Sequence, residues 1–244
     1  MGAGAKSLSD VYESEARRVS DLARAETRPR GPRPRRDAIE DLGLADHWID
    51  FADPADETAR ALSFANRGLA RGAKVVALLP AGDIDAYRAR ARQQGHSKAL
   101  DEGRFSFFPM DAQMETLRSA GAAAVFILAV QGILRGIGAA EASETWIISK
   151  VASALLTSPP ARFDMALRVE SAWDLLLQSL PISVYCPLPV GIPANVPFAT
   201  SLVERHTWAA LGDFAIATGP HPGSPSREDS AAGPPPRRST RTIR

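Results

Sequence analysis

Lys74-Val75-Val76-Ala77-Leu78-Leu79, closed by Pro80-Ala81-Gly82, is the stretch on which the fold turns. An almost unbroken apolar run of this kind suits a strand buried on both faces, which in turn requires helices above and below the sheet. Reading outward on the amino side, Pro54 to Arg71 has Leu62, Ala65 and Leu69 on one helical face, and Trp48-Ile49-Asp50-Phe51 before it reads as a strand. On the carboxyl side the spacing predicts a polar helix from Asp83 to Gln94 and a strand from Arg104 to Phe108. A helix capped by Asp111 follows, with helical sequence continuing to about Ala139. Thr145 to Ser149 and Ile182 to Cys186 are β-branched runs. Between them lies a helix near Ala161–Gln178, with Phe163, Leu167, Trp173 and Leu177 on its apolar face. Pro197 to Leu211 reads as the last helix and Asp213 to Thr218 as a short final strand. Strand–helix alternation predicts an α/β fold: a mostly parallel sheet with helices on both faces, joined by right-handed crossovers.

The ends of the chain differ in composition from this body. Residues 1–36 carry 9 Lys/Arg against 5 Asp/Glu, and residues 220–244 carry 5 against 2. Since the whole chain is +1, residues 37–219 are net acidic at −6, which is not the profile of a domain built to grip nucleic acid. Ser7 to Ala25 has amphipathic spacing through Leu8, Val11, Val19 and Leu22. It is too short to be a stable helix alone, so it is expected to dock a partner or a second copy of the chain. Arg28 to Arg36 holds three prolines and five arginines and reads as a basic linker. Residues 220–244, rich in Pro, Gly, Ser and Arg, are expected to be disordered. The domain plan is therefore an amino-terminal helix and linker over 1–36, one α/β domain over 37–219, and a tail. Five arginines in the linker give only weak, salt-sensitive phosphate affinity.

No signal-peptide core follows Met1, and the 16 uncharged residues between Arg118 and Arg135 are too few for a membrane span of about 20. Cys186 is the single cysteine, which excludes an intrachain disulfide and fits a reducing compartment; the expectation is a cytoplasmic protein.

Ligands of open parallel sheets sit beyond the carboxyl ends of the strands, so the loops after Phe51, Leu79, Phe108, Ser149 and Cys186 decide the chemistry. Gly68 to Lys74 is the nearest approach to a phosphate loop, but it precedes a strand instead of following one and lacks the terminal hydroxyl. Pro80-Ala81-Gly82-Asp83 has one glycine, so the dinucleotide fingerprint is missing as well. The histidines are His47, His96, His206 and His221, no two spaced as ligands on one helix face. A three-dimensional set of His47, Asp50 and His206 is one reading, and hydrogen-bonded or surface histidines the preferred one; no metal and no cofactor is expected. Cys186 ends an apolar strand and His206 could activate it, although lone cysteines at strand ends are usually small buried hydrophobes. Asp53 and Asp111 read as helix caps, with ligand orientation as their alternative. Lys150, the one cation at a predicted strand end, reads as a partner for Asp50 or Asp111 or as an anion contact. Trp146, Trp173 and Trp208 read as core.

The order of these segments resembles the MEDS family, the methanogen/methylotroph sensory domain of dichloromethane-regulator type. The resemblance spans about Asp46 to Gly212. It rests on His47 with Phe51, Glu57-Thr58 through Gly68 to Val76, and Gly103 to Ala112 including Phe107-Phe108-Pro109-Met110-Asp111. It continues with Arg168-Val169-Glu170-Ser171-Ala172-Trp173, Leu180 to Cys186, and Leu202-Val203-Glu204-Arg205-His206. It implies a RecA-like or KaiC-like three-layer sandwich without a phosphate loop, acting as a non-catalytic sensory module. It also implies binding of a small molecule, a hydrocarbon derivative in that family, and a regulatory protein partner in signalling or transcriptional control. His47, Asp111, Glu170, Cys186 and His206 match its recurrent polar positions. The chain departs from the pattern at Ser149-Lys150-Val151, where a carboxylate is usual, and at Pro187-Leu188-Pro189, where a polar, tyrosine-containing segment is usual. The expected ligand-binding residues, placed at the sheet's carboxyl edge, are thus His47, Asp50, Asp111, Lys150, Glu170, Cys186 and His206. The rival expectations are a degenerate RecA-like ATPase, a Cys186/His206 hydrolase, and a pure interaction adaptor.

Overall fold

Lys74–Leu79 is a strand, with residues 75–79 at most 1% exposed and a parallel strand hydrogen-bonded along each side. The computed structural model describes residues 32–34, 38–39, 42–120, 123–138, 144–190, 196–211 and 214–218. In chain order the elements are β1 (Arg33–Pro34), β2 (His47–Ala52), α1 (Pro54–Ala70), β3 (Lys74–Leu79), α2 (Ala81–Gln93), α3 (Ser97–Asp101) and β4 (Phe105–Pro109). Next come α4 (Asp111–Ala120), α5 (Ala123–Gly136), β5 (Thr145–Ser149), α6 (Val151–Thr157), α7 (Phe163–Ser179) and β6 (Ile182–Pro189). The chain then runs through α8 (Val196–Val203), β7 (Trp208–Leu211) and β8 (Phe214–Ala217).

Six strands, β7-β2-β6-β5-β3-β4, form an all-parallel sheet; β8 and then β1 extend it antiparallel beyond β7. Two apolar layers cover it. One face packs against α4 to α8 through Met114, Phe126, Leu155, Trp173 and Leu202, and the other against α1 to α3 through Leu62, Phe64, Tyr87 and Ala99. The α/β sandwich expected from the alternation is the architecture found. Trp146, Trp173 and Trp208 are all core residues, as expected.

The helix following β2 shows how local sequence sets element boundaries. Asp53 accepts a hydrogen bond from the Ala55 amide at 2.9 Å, Pro54 occupies the first turn, and Gly72 adopts a φ of 81° just past the end. These are the cap, the tolerated proline and the left-handed stop that bound a helix.

Several expectations are corrected. The sequence to Ala139 is two helices, α4 ending at Ala120 and α5 running from Ala123 to Gly136. The helix expected over Pro197–Leu211 ends at Val203, and Trp208–Leu211 is instead a strand bonded to β2, because short apolar runs do not reveal their period. The basic linker contributes a strand, Arg33 and Pro34 pairing with Ala215 and Phe214 at the sheet edge, where a proline is tolerated. The buried stripe of α7 is Met165, Ala166, Val169, Glu170, Ala172, Trp173, Leu176 and Leu177; of the four residues expected there Trp173 and Leu177 belong to it, and Phe163 and Leu167 flank it. The predicted amino-terminal helix and carboxyl tail lie outside the described residues. Among the described residues no helix is long and apolar enough to cross a membrane.

Candidate functional site

The seven residues singled out from the sequence separate into an interior group of four and three positions elsewhere. His47 is the first residue of β2, Cys186 sits on the neighbouring β6 opposite Ile49, His206 lies in the turn from α8 to β7, and Glu170 projects from α7 onto them. All four are buried, at most 2% exposed, and one ligand atom from each lies within 4.8 Å of the others. The group sits beneath α7 in the amino half of the sheet, where β2 and β7 begin, and not beyond the carboxyl edge where the sequence reading placed it. His47 and His206 do meet, as the three-dimensional set required, but Asp50 is replaced by Glu170 and Cys186.

Glu170 Oε2 is the hub. It lies 3.1 Å from His47 Nε2, 3.3 Å from His206 Nε2 and 3.4 Å from Cys186 Sγ, and Cys186 Sγ is 3.6 Å from His47 Nε2. The imidazole rings stand 3.8 Å apart, inclined by 36°. Each ring is anchored from behind through Nδ1. His47 Nδ1 faces Asp174 Oδ1 at 3.3 Å and the Arg205 carbonyl at 3.1 Å, and His206 Nδ1 faces the Leu202 carbonyl at 2.6 Å. Since these partners are acceptors, Nδ1 of each ring carries the proton and both Nε2 atoms point into the cluster. Among the described residues, Glu170 Oε1 is buried without a hydrogen-bond partner. So is His206 Nε2, which touches Glu170 without aligning for a hydrogen bond.

Burial and mutual charge set the protonation of the group. Burial opposes a charge on His47, but hydrogen bonds to Asp174 and Glu170 outweigh it and raise its pKa. Burial and then the neighbouring His47 charge lower that of His206. Burial would raise the Glu170 carboxyl, yet the two histidines hold it well below the usual range. Burial, then the Glu170 charge, pushes the Cys186 thiol up. Of the two rings, His47 is the one whose charged form is favoured opposite the Glu170 carboxylate. The thiol is the reverse of an activated nucleophile, which needs a low pKa and access.

A clamp that sequence reading missed fixes the floor of this cluster. Asp46, 1% exposed, accepts from the Gly43 amide at 2.7 Å and from Thr207 Oγ1 at 3.0 Å. The His47 amide donates to Thr207 Oγ1 at 2.9 Å. The starts of β2 and β7, and with them His47 and His206, are tied together. The available signal was that polar residues immediately precede two apolar strands.

The other three residues have structural partners of their own. Asp50 faces the opposite side of the sheet, accepting from Tyr185 Oη at 2.5 Å, with Arg60 Nη1 at 3.4 Å. Lys150, at the end of β5, contacts neither Asp50 nor Asp111; it pairs with Glu57 and Asp83, both at 2.7 Å, and Tyr87 Oη donates to Glu57 at 2.9 Å. Asp111 opens α4, but its carboxylate accepts from the Ala81 amide at 2.8 Å, capping α2 instead of its own helix. Asp53 caps α1 as expected. Asp53 at the N-cap of α1, with Asp56 and Glu57 in its first turn, places three carboxylates where a phosphate would otherwise be drawn to the helix amides. Lys74 Nζ is bonded to the Ile137 and Gly138 carbonyls.

No protein-family model matches the chain, and no curated protein matches it. Among solved structures, the flagellar accessory protein FlaH from Methanocaldococcus jannaschii is similar at 12% identity and a TM-score of 0.47. The match covers 77% of this chain and 86% of that one. Likeness at that level transfers no function, which has to be argued from the site.

Proposed function

We propose that the chain is a non-catalytic sensory domain of the MEDS kind, which receives a small ligand at the His47–Glu170–Cys186–His206 centre and relays its presence to a regulatory protein. One observation carries the reading. Of the five polar positions matched by the resemblance, four, spread from residue 47 to residue 206, converge on one buried point; Asp111 does not. Catalytic alternatives draw less support: the carboxylates on the first turn of α1 oppose a nucleotide phosphate, and the Cys186 thiol is buried and protonated. The centre joins β2, β6, α7 and the turn after α8, so its occupancy bears directly on how α7 and α8 pack. Native mass spectrometry of the gently purified full chain tests this. It is expected to show non-covalent excess mass that Glu170→Gln lacks, and stripping that mass should accelerate amide exchange in α7 and α8. A bare chain mass for the parent protein, or exchange unaltered by stripping, would refute it.

A further inference from the structure

Four buried side chains bring one ligand atom each to a common point, and the spacing of those atoms says what could be held between them. For a tetrahedral zinc site with bonds of about 2.0–2.1 Å to nitrogen or oxygen and about 2.3 Å to sulfur, simple geometry sets ligand separations. They are about 3.3 Å between nitrogen and oxygen and about 3.5–3.6 Å from sulfur to either. Four of the six separations match this pattern: 3.1 and 3.3 Å for nitrogen to oxygen, 3.4 Å for sulfur to oxygen and 3.6 Å from Cys186 Sγ to His47 Nε2; the other two, from His206 Nε2 to His47 Nε2 and to Cys186 Sγ, lie within 4.8 Å. We propose that His47 Nε2, Glu170 Oε2, Cys186 Sγ and His206 Nε2 form a closed, tetrahedral site for a divalent transition metal ion of the zinc class. The inference rests on the sensory reading only in naming the ligand of that centre; the metal site stands or falls on its own.

Three further features support it. Two of the buried atoms without a hydrogen-bond partner among the described residues, Glu170 Oε1 and His206 Nε2, belong to residues of this cluster, and a cation between the rings and the carboxylate gives the His206 lone pair its partner. Each histidine has its Nδ1 held by a carbonyl or carboxylate, the outer support that orients metal-bound imidazoles. A carboxylate and a thiolate with two neutral imidazoles cancel the charge of a divalent ion, as a site this deeply buried requires. With four protein ligands no position is left for substrate, which marks a structural or sensing site rather than a catalytic one. Binding replaces the thiol proton, so protons are released as metal enters.

The test is a titration of chelator-treated, untagged full-length protein with cobalt(II), then with zinc(II). One equivalent of cobalt per chain is expected, with the visible spectrum of a tetrahedral ion and a thiolate-to-cobalt charge-transfer band in the near ultraviolet. Zinc should bleach both and raise the melting temperature. Cys186→Ser should lose the charge-transfer band, and His206→Gln should weaken cobalt binding at least about 100-fold. An octahedral spectrum, substoichiometric binding, or a parent spectrum without the charge-transfer band would overturn the site, whether or not the variants fold. Bound organic mass removed by Glu170→Gln in a protein that takes up no metal would overturn the metal and leave the sensory reading standing. Stoichiometric tetrahedral cobalt without altered exchange in α7 and α8 would keep the metal and remove the sensory reading.

Discussion

Asp174→Asn separates support of the centre from support of the fold. Asp174 is 31% exposed and meets His47 Nδ1 at 3.3 Å through one oxygen and Arg205 Nη1 at 3.5 Å through the other. The exchange to asparagine keeps shape and removes charge, so His47 becomes a poorer electron donor. The Arg205 carbonyl, 3.1 Å from the same Nδ1, still fixes the tautomer and the ring. Outer partners of ligating histidines are worth about 10- to 100-fold in metal affinity, and the surviving carbonyl places this case at the lower end. About tenfold weaker zinc binding is therefore expected, about 1.4 kcal/mol, in competition with a chromophoric chelator. Folding of the metal-free chain should change by no more than about 1 kcal/mol in urea melts, since the ion pair with Arg205 is solvated. Unchanged zinc affinity would refute the reasoning. So would a stability loss of about 3 kcal/mol or more, the cost of stranding a buried charge, because it would make Asp174 a structural residue.

Gly68→Ala should destabilise although it improves helix propensity by about 1 kcal/mol, because the new Cβ would stand 2.7 Å from Trp146 Cγ and overpacking costs about 1–3 kcal/mol. Trp146 cannot retreat easily, being held against Phe64 and bonded to Glu144, so a raised urea midpoint would contradict the packing. Lys150→Met leaves Glu57 buried beside Tyr87 and should cost about 3 kcal/mol. Adding Glu57→Gln should restore most of it, and equal costs for single and double variants would remove the pairing argument. Burial lowers the pKa of His96 below its ordinary 6.5, so below that pH the unfolded chain takes up a proton the folded site resists, and stability falls as pH drops. His96→Gln should shrink the loss of stability between pH 7.5 and 5.5; an identical loss in both proteins would show that His96 contributes nothing to it.

The sheet was legible because β3, β5 and β6 announce themselves as apolar runs, and turn chemistry such as Asp53-Pro54 brackets the helices. What failed was arbitration by period: Trp208-Ala209-Ala210-Leu211 suits a helix or a strand equally, and only pairing with β2 decides. Four of the seven residues singled out do come together, and it was the order of motifs, not local chemistry, that singled them out. The place of the site was not legible. His47 and His206 stand 159 positions apart, and no local pattern states that parallel β2 and β7 start side by side. One local clue did exist: Glu170 occupies the middle of the buried stripe of α7, between Val169 and Trp173, where burial demands either an apolar residue or a charge with partners.

At the carboxyl edge, where ligands of such sheets ordinarily sit, the residues singled out are engaged by the protein's own groups: Asp111 on the Ala81 amide, and Lys150 between Glu57 and Asp83. Buried polar atoms without a hydrogen-bond partner occur at several places among the described residues, and two of them, Glu170 Oε1 and His206 Nε2, belong to the group between β2, β6 and α7. An ion held there would tie the first central strand to the turn leading into β7. Its binding free energy would therefore be free energy of folding, because the unfolded chain offers no such site. A lid over an open cleft can report a ligand through local closure. A buried cross-tie has no such route and acts by changing how firmly α7, α8 and β7 are held to the rest of the domain. It is for that reason that the readout expected of this protein is altered amide exchange in α7 and α8, and not the movement of a surface loop.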